Sequence, residues 1–218
     1  MNIRRTSLLL VALGIVGTLM GAMAMATSAD DPELTRRGFA PLVVRAEPTP
    51  IVLPTPKPPP YAGLVAGLYL ESASISYNWA VEQRGTEIKN GVNTFQDPSN
   101  PLKIAWYPAF GRPGFPANNS IFAAHVNYIG YGLTPFAYLT SADVGDTLYV
   151  KMDNGLEIAY SVQSVVGIHL SQLDMDAVVF PALNSSRERI TLISCGGTFI
   201  GGGAYDSRVI LVAERIIE

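Results

Sequence analysis

The 218-residue chain has very few of the side chains that most often build metal sites, disulfides or nucleic-acid interfaces. It contains one cysteine, Cys195, and two histidines, His125 and His169. One cysteine cannot form a disulfide within the chain, and two histidines without a spacing such as HExxH do not indicate a zinc site. Only 15% of the residues are charged, and the formal net charge is −3. We therefore expect no metal ion and no cofactor, and we do not expect nucleic acid as the main partner.

An apolar segment near the N-terminus predicts export from the cytoplasm. The stretch Ser7–Ala26 carries no charge and has 20 residues, enough for a helix to span a hydrocarbon core of about 30 Å. Arg4 and Arg5 precede it, so the positive-inside rule predicts a single-pass cell-membrane protein whose remaining chain is extracytoplasmic. Ala24-Met25-Ala26 also fits a signal-peptidase site, so the alternative is a protein secreted after cleavage.

The rest of the chain divides into a proline-rich segment and a β-rich segment. Seven prolines lie between positions 48 and 60, and such a composition favours extended polyproline II over packed structure. We predict a cytoplasmic stub with a membrane anchor or signal peptide over residues 1–28, an extracytoplasmic linker over 29–62 and a folded domain over 63–218.

Beyond Tyr61, short β-rich runs alternate with turn-forming residues. The predicted strands are Gly67–Leu70, Trp79–Gln83, Ile121–His125, Thr147–Lys151, Glu157–Val166, Arg189–Cys195 and Val209–Arg215. Asp153-Asn154-Gly155 predicts a hairpin turn, and short helical pieces are predicted around Thr134–Leu139 and Ser171–Val179. The pattern predicts a mainly β domain, either a closed barrel or a sandwich, and periodicity alone does not choose between them.

Three potentially reactive side chains stand at the ends of predicted strands. Cys195 ends an apolar run and is followed by Gly196-Gly197, which would let a substrate backbone approach closely. His125 ends another apolar run, and Arg208 immediately precedes a third. A thiol, an imidazole and a guanidinium are the groups that a thiol acyl transferase needs. Each residue alone has a structural interpretation: a buried small side chain, a strand-edge histidine and a solvated charge.

The residues around these positions carry a family resemblance. The segments concerned are Trp106-Tyr107, Pro113-Gly114 with Asn118-Asn119, Ile121-Phe122-Ala123-Ala124-His125, Pro135-Phe136-Ala137-Tyr138-Leu139 with Val144-Gly145-Asp146, and Thr191-Leu192-Ile193-Ser194-Cys195. The last resembles TLxTC, the signature of sortases, with Ser194 in place of the second threonine. Arg208 follows Cys195 by 13 residues, as the family's arginine does. The Cys-Gly-Gly continuation resembles the class D, E and F branches more than class A.

This resemblance implies a fold and a mechanism. The family's fold is a closed eight-stranded β-barrel. Cys195 would attack the carbonyl after threonine in an LPxTG-like sorting signal of an exported protein, and an amine of a cell-wall precursor or a pilin would resolve the thioacyl enzyme. His125 would act as acid and base, and Arg208 would stabilise the tetrahedral oxygen. His169 matches no catalytic position of the family.

Two other classes of function stay open at this level. A hydrolytic cysteine peptidase is one, although papain-like enzymes place cysteine before histidine in chain order, opposite to Cys195 and His125, and the Ser-His-Gly motif of L,D-transpeptidases is absent near Cys195. The other is a non-catalytic, exported β-barrel binding module. That module predicts that Cys195, His125 and Arg208 do not meet in one groove.

Overall fold

Twelve β-strands and two short helices make up the described part of the chain, residues 59–72 and 76–217 of a computed structural model. The strands are β1 (Val65–Glu71), β2 (Ser76–Gln83), β3 (Thr86–Lys89), β4 (Val92–Phe95), β5 (Ile104–Tyr107), β6 (Asn118–Ala123), β7 (Asn127–Tyr128), β8 (Gly132–Leu133), β9 (Thr147–Met152), β10 (Glu157–His169), β11 (Glu188–Gly201) and β12 (Ala204–Arg215). The helices are a 3₁₀ helix (Leu139–Ser141) and α1 (Met175–Val179).

Eight of these strands close into a barrel, in the order β1-β2-β5-β6-β11-β12-β10-β9, with β9 returning to β1. Strands β2 and β5 pair in parallel, as do β6 and β11, whereas the other neighbours are antiparallel. Strands β3 and β4 form a separate hairpin, and so do β7 and β8. The closed eight-stranded barrel is therefore confirmed, and the sandwich is excluded.

Alternation of side chains explains why the barrel has two apolar faces. On β11, Ile190 and Leu192 belong to a core cluster to which all eight barrel strands contribute, and this cluster fills the interior. Ile193 points the other way and joins a second cluster outside the barrel, where it packs with Ile121 and with Val179 of α1. The helix thus covers an apolar outer patch of β6 and β11.

The predicted strands all exist in the structure, although their bounds differ. The strand predicted at Ile121–His125 begins at Asn118 and ends at Ala123, so His125 lies beyond it. The eighth barrel strand, β5, was not predicted, because a run of only four apolar residues, IAWY, is too short to be told from any other buried segment. The hairpin turn at residues 153–155 is confirmed: it connects the antiparallel strands β9 and β10.

The helical piece predicted around Thr134–Leu139 is found only at its C-terminal edge, where the 3₁₀ helix Leu139–Ser141 begins. Thr134 Oγ1 and Phe136 N both donate to the carbonyl of His125, at 2.6 and 3.2 Å, and these bonds fix a run of turns that ends in the 3₁₀ helix. The second predicted helix is shorter than expected, since it begins at Met175 rather than Ser171.

The predicted membrane segment and most of the predicted linker lie outside the described residues. Within residues 59–72 and 76–217, no helix is both long enough and apolar enough to cross a membrane.

Candidate active site

Parallel pairing of β6 and β11 brings His125 and Cys195 to the same end of the barrel. Ala123 is the register partner of Ile193, and the contact continues beyond it, since Ala124 N donates to the Ile193 carbonyl at 3.3 Å. His125 and Cys195 each follow this pair by two residues. Because neighbouring strands lie about 4.8 Å apart, equal steps along parallel strands leave the two residues adjacent.

Antiparallel pairing of β11 and β12 brings Arg208 beside Cys195. The two residues are register partners, although 13 positions separate them in the chain. Side-chain alternation then decides the face. Ile193 and Ile210 belong to the outer apolar cluster, and Cys195 and Arg208 each lie two residues from one of them on the same strand. The thiol and the guanidinium therefore share the outer face of the barrel.

His125 is half-buried at the start of the turn that leaves β6. Its carbonyl accepts from Thr134 Oγ1 and Phe136 N, so the backbone at the histidine is fixed from both sides of Pro135. Its ring lies against Tyr128, with centroids 5.2 Å apart and planes inclined by 53°. These contacts orient the imidazole without occupying its nitrogens.

Arg208 is half-buried and is held by its own hairpin. Its Nη1 donates to the carbonyl of Ser207 at 2.9 Å and to that of Tyr205 at 3.4 Å. Among residues 59–72 and 76–217, no carboxylate forms an ion pair with it. Its Nη1 thus bonds to neutral carbonyls, and the guanidinium can still interact with a developing negative charge on a substrate oxygen.

A glycine-dependent irregularity follows Cys195. The β11–β12 register shifts between Gly196 and Phe199, and Gly197 has φ of +76°. A Cβ at Gly197 would collide with Asp206 Oδ1, the atom that accepts from Thr198 N at 2.9 Å. The hydrogen bonds from Ser207 Oγ and Thr198 N lower the pKa of Asp206 below its ordinary value, so this carboxylate remains charged and closes the hairpin.

The three side chains line one groove of about 660 Å³ on the outer face of the barrel. Its walls come from the β3–β4 hairpin, from α1 with Phe180, and from residues between them. The further lining residues are Thr86, Val92, Asn93, Thr94, Phe95, Asp97, Pro98, Tyr107, Phe110, Ala123, Ala124, Met175, Asp176, Val179, Phe180, Ile193 and Ser194. The groove is largely apolar, with the thiol, imidazole and guanidinium together at one part of its wall.

The groove walls were not predicted from the sequence. Tyr107 and Phe110 both line the groove, and Phe110 packs on Phe180 with ring centroids 5.7 Å apart. Tyr107 donates its hydroxyl proton to the carbonyl of Gln96 at 2.7 Å, and burial raises its pKa well above the ordinary value, so the phenol stays neutral. Tyr107 belongs to a segment that carries the family resemblance, whereas no local pattern marks Phe110 and Phe180, because they come together only in the folded chain.

His169 lies apart from the groove, as its lack of a family match suggested. It is exposed at the end of β10, and its Nδ1 lies 2.8 Å from Ser171 Oγ. Across the described residues, no group of three or more His, Cys, Asp or Glu side chains is close enough to hold a metal ion.

Comparison with known families agrees with this geometry. A model of the sortase domain matches residues 71–216, which is most of the chain and includes every residue of the candidate site. The chain therefore belongs to the sortase family, whose members are cysteine transpeptidases. A search of curated proteins found no match.

Solved structures share the fold at low sequence identity. Sortase A from Corynebacterium diphtheriae, in a lid mutant, is 14% identical, with a TM-score of 0.52 over 70% of this chain and 71% of that one. Sortase C-1 from Actinomyces oris is 17% identical, with a TM-score of 0.50 over 69% and 74%. Streptococcus pneumoniae sortase C is 15% identical, with a TM-score of 0.51 over 71% and 69%. At these identities the likeness concerns the fold, and the branch of the family stays open.

Proposed function

We propose that the protein is an exported transpeptidase that uses Cys195 as nucleophile, His125 as acid and base and Arg208 as electrostatic stabiliser. Its acyl donors are exported proteins with an LPxTG-like sorting signal. Its acceptor is an amine of the cell wall or of a pilin. The observation that carries the proposal is the meeting of these three side chains, from three different strands or strand ends, in one groove.

The arrangement supports a two-step acyl transfer. The Cys195 thiolate attacks the scissile carbonyl carbon, a C–S bond forms, and the C–N bond of the peptide breaks as His125 gives its proton to the leaving amine. In the second step His125 takes a proton from the incoming amine, which forms a new C–N bond and expels the thiolate. Arg208 faces the same groove and stabilises the oxyanion of both tetrahedral intermediates.

A shared groove also distinguishes between the alternatives. A non-catalytic binding module gives no reason for a thiol, an imidazole and a guanidinium to converge on one surface. A hydrolytic peptidase uses the same first step and differs only in the acceptor, which would be water. An assay must therefore vary the acyl acceptor to distinguish a hydrolase from a transpeptidase.

The test is an assay of the full chain, solubilised in mild detergent, on a library of quenched LPxTG-type peptides with and without an amine acceptor. We expect cleavage and amine-dependent ligation. Cys195→Ala should reduce turnover by at least about 10³-fold, His125→Gln by about 10²–10⁴-fold and Arg208→Lys by about 10²–10³-fold. Cleavage without ligation for every amine would indicate a hydrolase.

The chain offers a matched control for the histidine. His169→Gln changes the other histidine, which is exposed and does not line the groove, so its turnover should stay near that of the wild type. Equal losses in the His125 and His169 variants would contradict the assigned roles. Absence of turnover, together with a Cys195 that resists iodoacetamide in the folded protein, would refute catalysis and favour the binding module.

We also propose that the segment Ser7–Ala26 anchors the enzyme in the cell membrane. Its length, its lack of charge and the preceding Arg4 and Arg5 support this placement. Retention on one surface would raise the effective concentration of membrane-held substrates. Fractionation of cells and sequencing of the mature N-terminus test the proposal: a chain that begins at Thr27 would instead indicate a cleaved signal peptide.

A further inference from the structure

One wall of the groove is a helix of five residues whose carbonyl end is held from outside. Helix α1 begins after Asp174, whose Oδ1 accepts from Ala177 N at 3.0 Å. Met175 and Val179 of the helix, and Phe180 directly after it, line the groove. The last carbonyls of any helix lack partners within it, so a helix this short needs external donors to keep its position.

Asn119 of β6 supplies those donors. Its Nδ2 donates to the carbonyl of Val178 at 3.0 Å and to that of Val179 at 3.2 Å, and its Oδ1 accepts from Thr191 Oγ1 at 2.7 Å. Because carbonyls can only accept, the orientation of the carboxamide is determined by its partners. Asn119 is only 4% exposed, so water does not replace these bonds readily.

Thr191 connects this bridge to the strand that carries the thiol. It is 1% exposed and lies on β11 four residues before Cys195, on the same outer face. The chain of contacts therefore runs from β11 through Thr191 and Asn119 to the end of α1. It sets the distance between the groove wall at Phe180 and the strand of the nucleophile, and it touches none of the three reactive side chains.

We propose that Asn119 and Thr191 are positioning residues that determine how tightly the groove holds its acyl-donor peptide, by fixing α1 and Phe180 against β11. This inference rests on the proposed function. Loss of the bridge loosens one wall of the peptide site and leaves Cys195, His125 and Arg208 in place. The effect falls on KM for the peptide rather than on kcat.

The experiment compares Thr191→Val, which keeps the shape of the side chain and removes its hydroxyl, with Thr191→Ser, which keeps the hydroxyl. Asn119→Asp is the third variant, since it can still accept from Thr191 but cannot donate to Val178 and Val179. With the full chain and a cleaved LPxTG-type peptide, we expect Thr191→Val and Asn119→Asp to raise KM about tenfold. The kcat should change by less than about threefold, and Thr191→Ser should keep KM near the wild-type value.

A second readout does not depend on turnover. Hydrogen exchange of residues 175–180, followed by mass spectrometry, should accelerate in Thr191→Val and stay near the wild-type rate in Thr191→Ser. The rate at which iodoacetamide modifies Cys195 should be the same in both, because the bridge does not contact the thiol. If Asn119→Asp fails to fold, the two Thr191 variants still decide the question.

The outcomes separate this inference from the function on which it rests. Unchanged exchange over residues 175–180 in Thr191→Val, or a fall in kcat with KM unchanged, would overturn the positioning role. A wild-type chain that turns over no peptide would overturn the proposed function and the claim on peptide affinity with it. Faster exchange and a raised KM in Thr191→Val, with both values near those of the wild type in Thr191→Ser, support the inference.

Discussion

The glycine two residues after the nucleophile offers a quantitative test of how the site is built. Gly197 combines a positive φ of +76° with a backbone so close to the neighbouring strand that a Cβ would strike Asp206 Oδ1 and lie 2.5 Å from Ser207 Oγ. Gly202 in the same hairpin has φ of +61°, but no atom lies within 4 Å of its hypothetical Cβ. Comparison of Gly197→Ala with Gly202→Ala therefore separates the cost of backbone strain from the cost of steric conflict.

The expected losses in free energy of unfolding follow from backbone strain, which both positions share, and from steric conflict, which Gly197 adds. Alanine in the left-handed region costs about 1–2 kcal/mol, and this cost applies to both Gly197→Ala and Gly202→Ala. At Gly197 the added methyl group must also push aside Asp206 and Ser207, and overpacking of this kind costs about 1–3 kcal/mol more. We therefore expect a loss in free energy of unfolding of about 2–5 kcal/mol for Gly197→Ala and about 1–2 kcal/mol for Gly202→Ala.

Thermal unfolding and peptide turnover measure the two consequences. For a domain of this size, Tm falls by about 2–4 °C per kcal/mol, so the two variants should be resolved. Gly197→Ala should also reduce turnover, by up to about 100-fold, because displacement of the hairpin misaligns Cys195 and Arg208. Gly202→Ala should leave turnover within about threefold of the wild type, since it lies at the open tip. Equal Tm and turnover in the two variants would refute this reasoning.

Two further predictions concern the hairpin and the core. Because hydrogen bonds from Ser207 and Thr198 depress the pKa of folded Asp206, its contribution to hairpin order is present above its ordinary value of 3.8 and is lost as pH falls through the depressed value. The protection of the Thr198 amide against exchange, measured by NMR relative to the intrinsic rate at each pH, should fall over that range, and the same pH response in Asp206→Asn would contradict the assignment. Phe122→Ala removes a fully buried side chain and should cost about 3–5 kcal/mol in denaturant unfolding. Phe199→Ala, at a side chain 57% exposed, should cost less than about 1 kcal/mol. Equal losses in the two variants would contradict the burial of Phe122 in the barrel core.

Short β-rich runs between turn-forming residues made most of the barrel predictable. Residues Ile190 to Ile193 read as a strand, and short β-rich runs of this kind predicted seven of the eight barrel strands. The strand Ile104–Tyr107 was missed because a run of four apolar residues is too short to be told from any other buried segment. Most of the helical piece predicted around Thr134–Leu139 is a run of turns instead. Hydrogen bonds from Thr134 and Phe136 to the His125 carbonyl override the local helical preference there.

The candidate site likewise has residues that the sequence predicted and residues that it did not. Cys195, His125 and Arg208 could be named from the sequence, because motif spacing carried a family resemblance that the sortase-domain match then bore out. The role of Asn119 could not be predicted, since its partners Thr191 and Val178 lie 72 and 59 residues away and no local pattern connects them.

The sequence by itself determined the strand-forming segments, the family and the identity of three candidate reactive residues, since these depend on local spacing and residue type. Periodicity left a barrel and a sandwich open, the family resemblance implied the barrel, and the tertiary structure confirmed it. Only the tertiary structure showed that the three side chains share the outer face of the barrel. It also showed that Phe180 and α1 line the same groove. The physical reason is that parallel pairing of β6 with β11, and antiparallel pairing of β11 with β12, are contacts between distant segments, and such contacts exist only after the chain has closed upon itself.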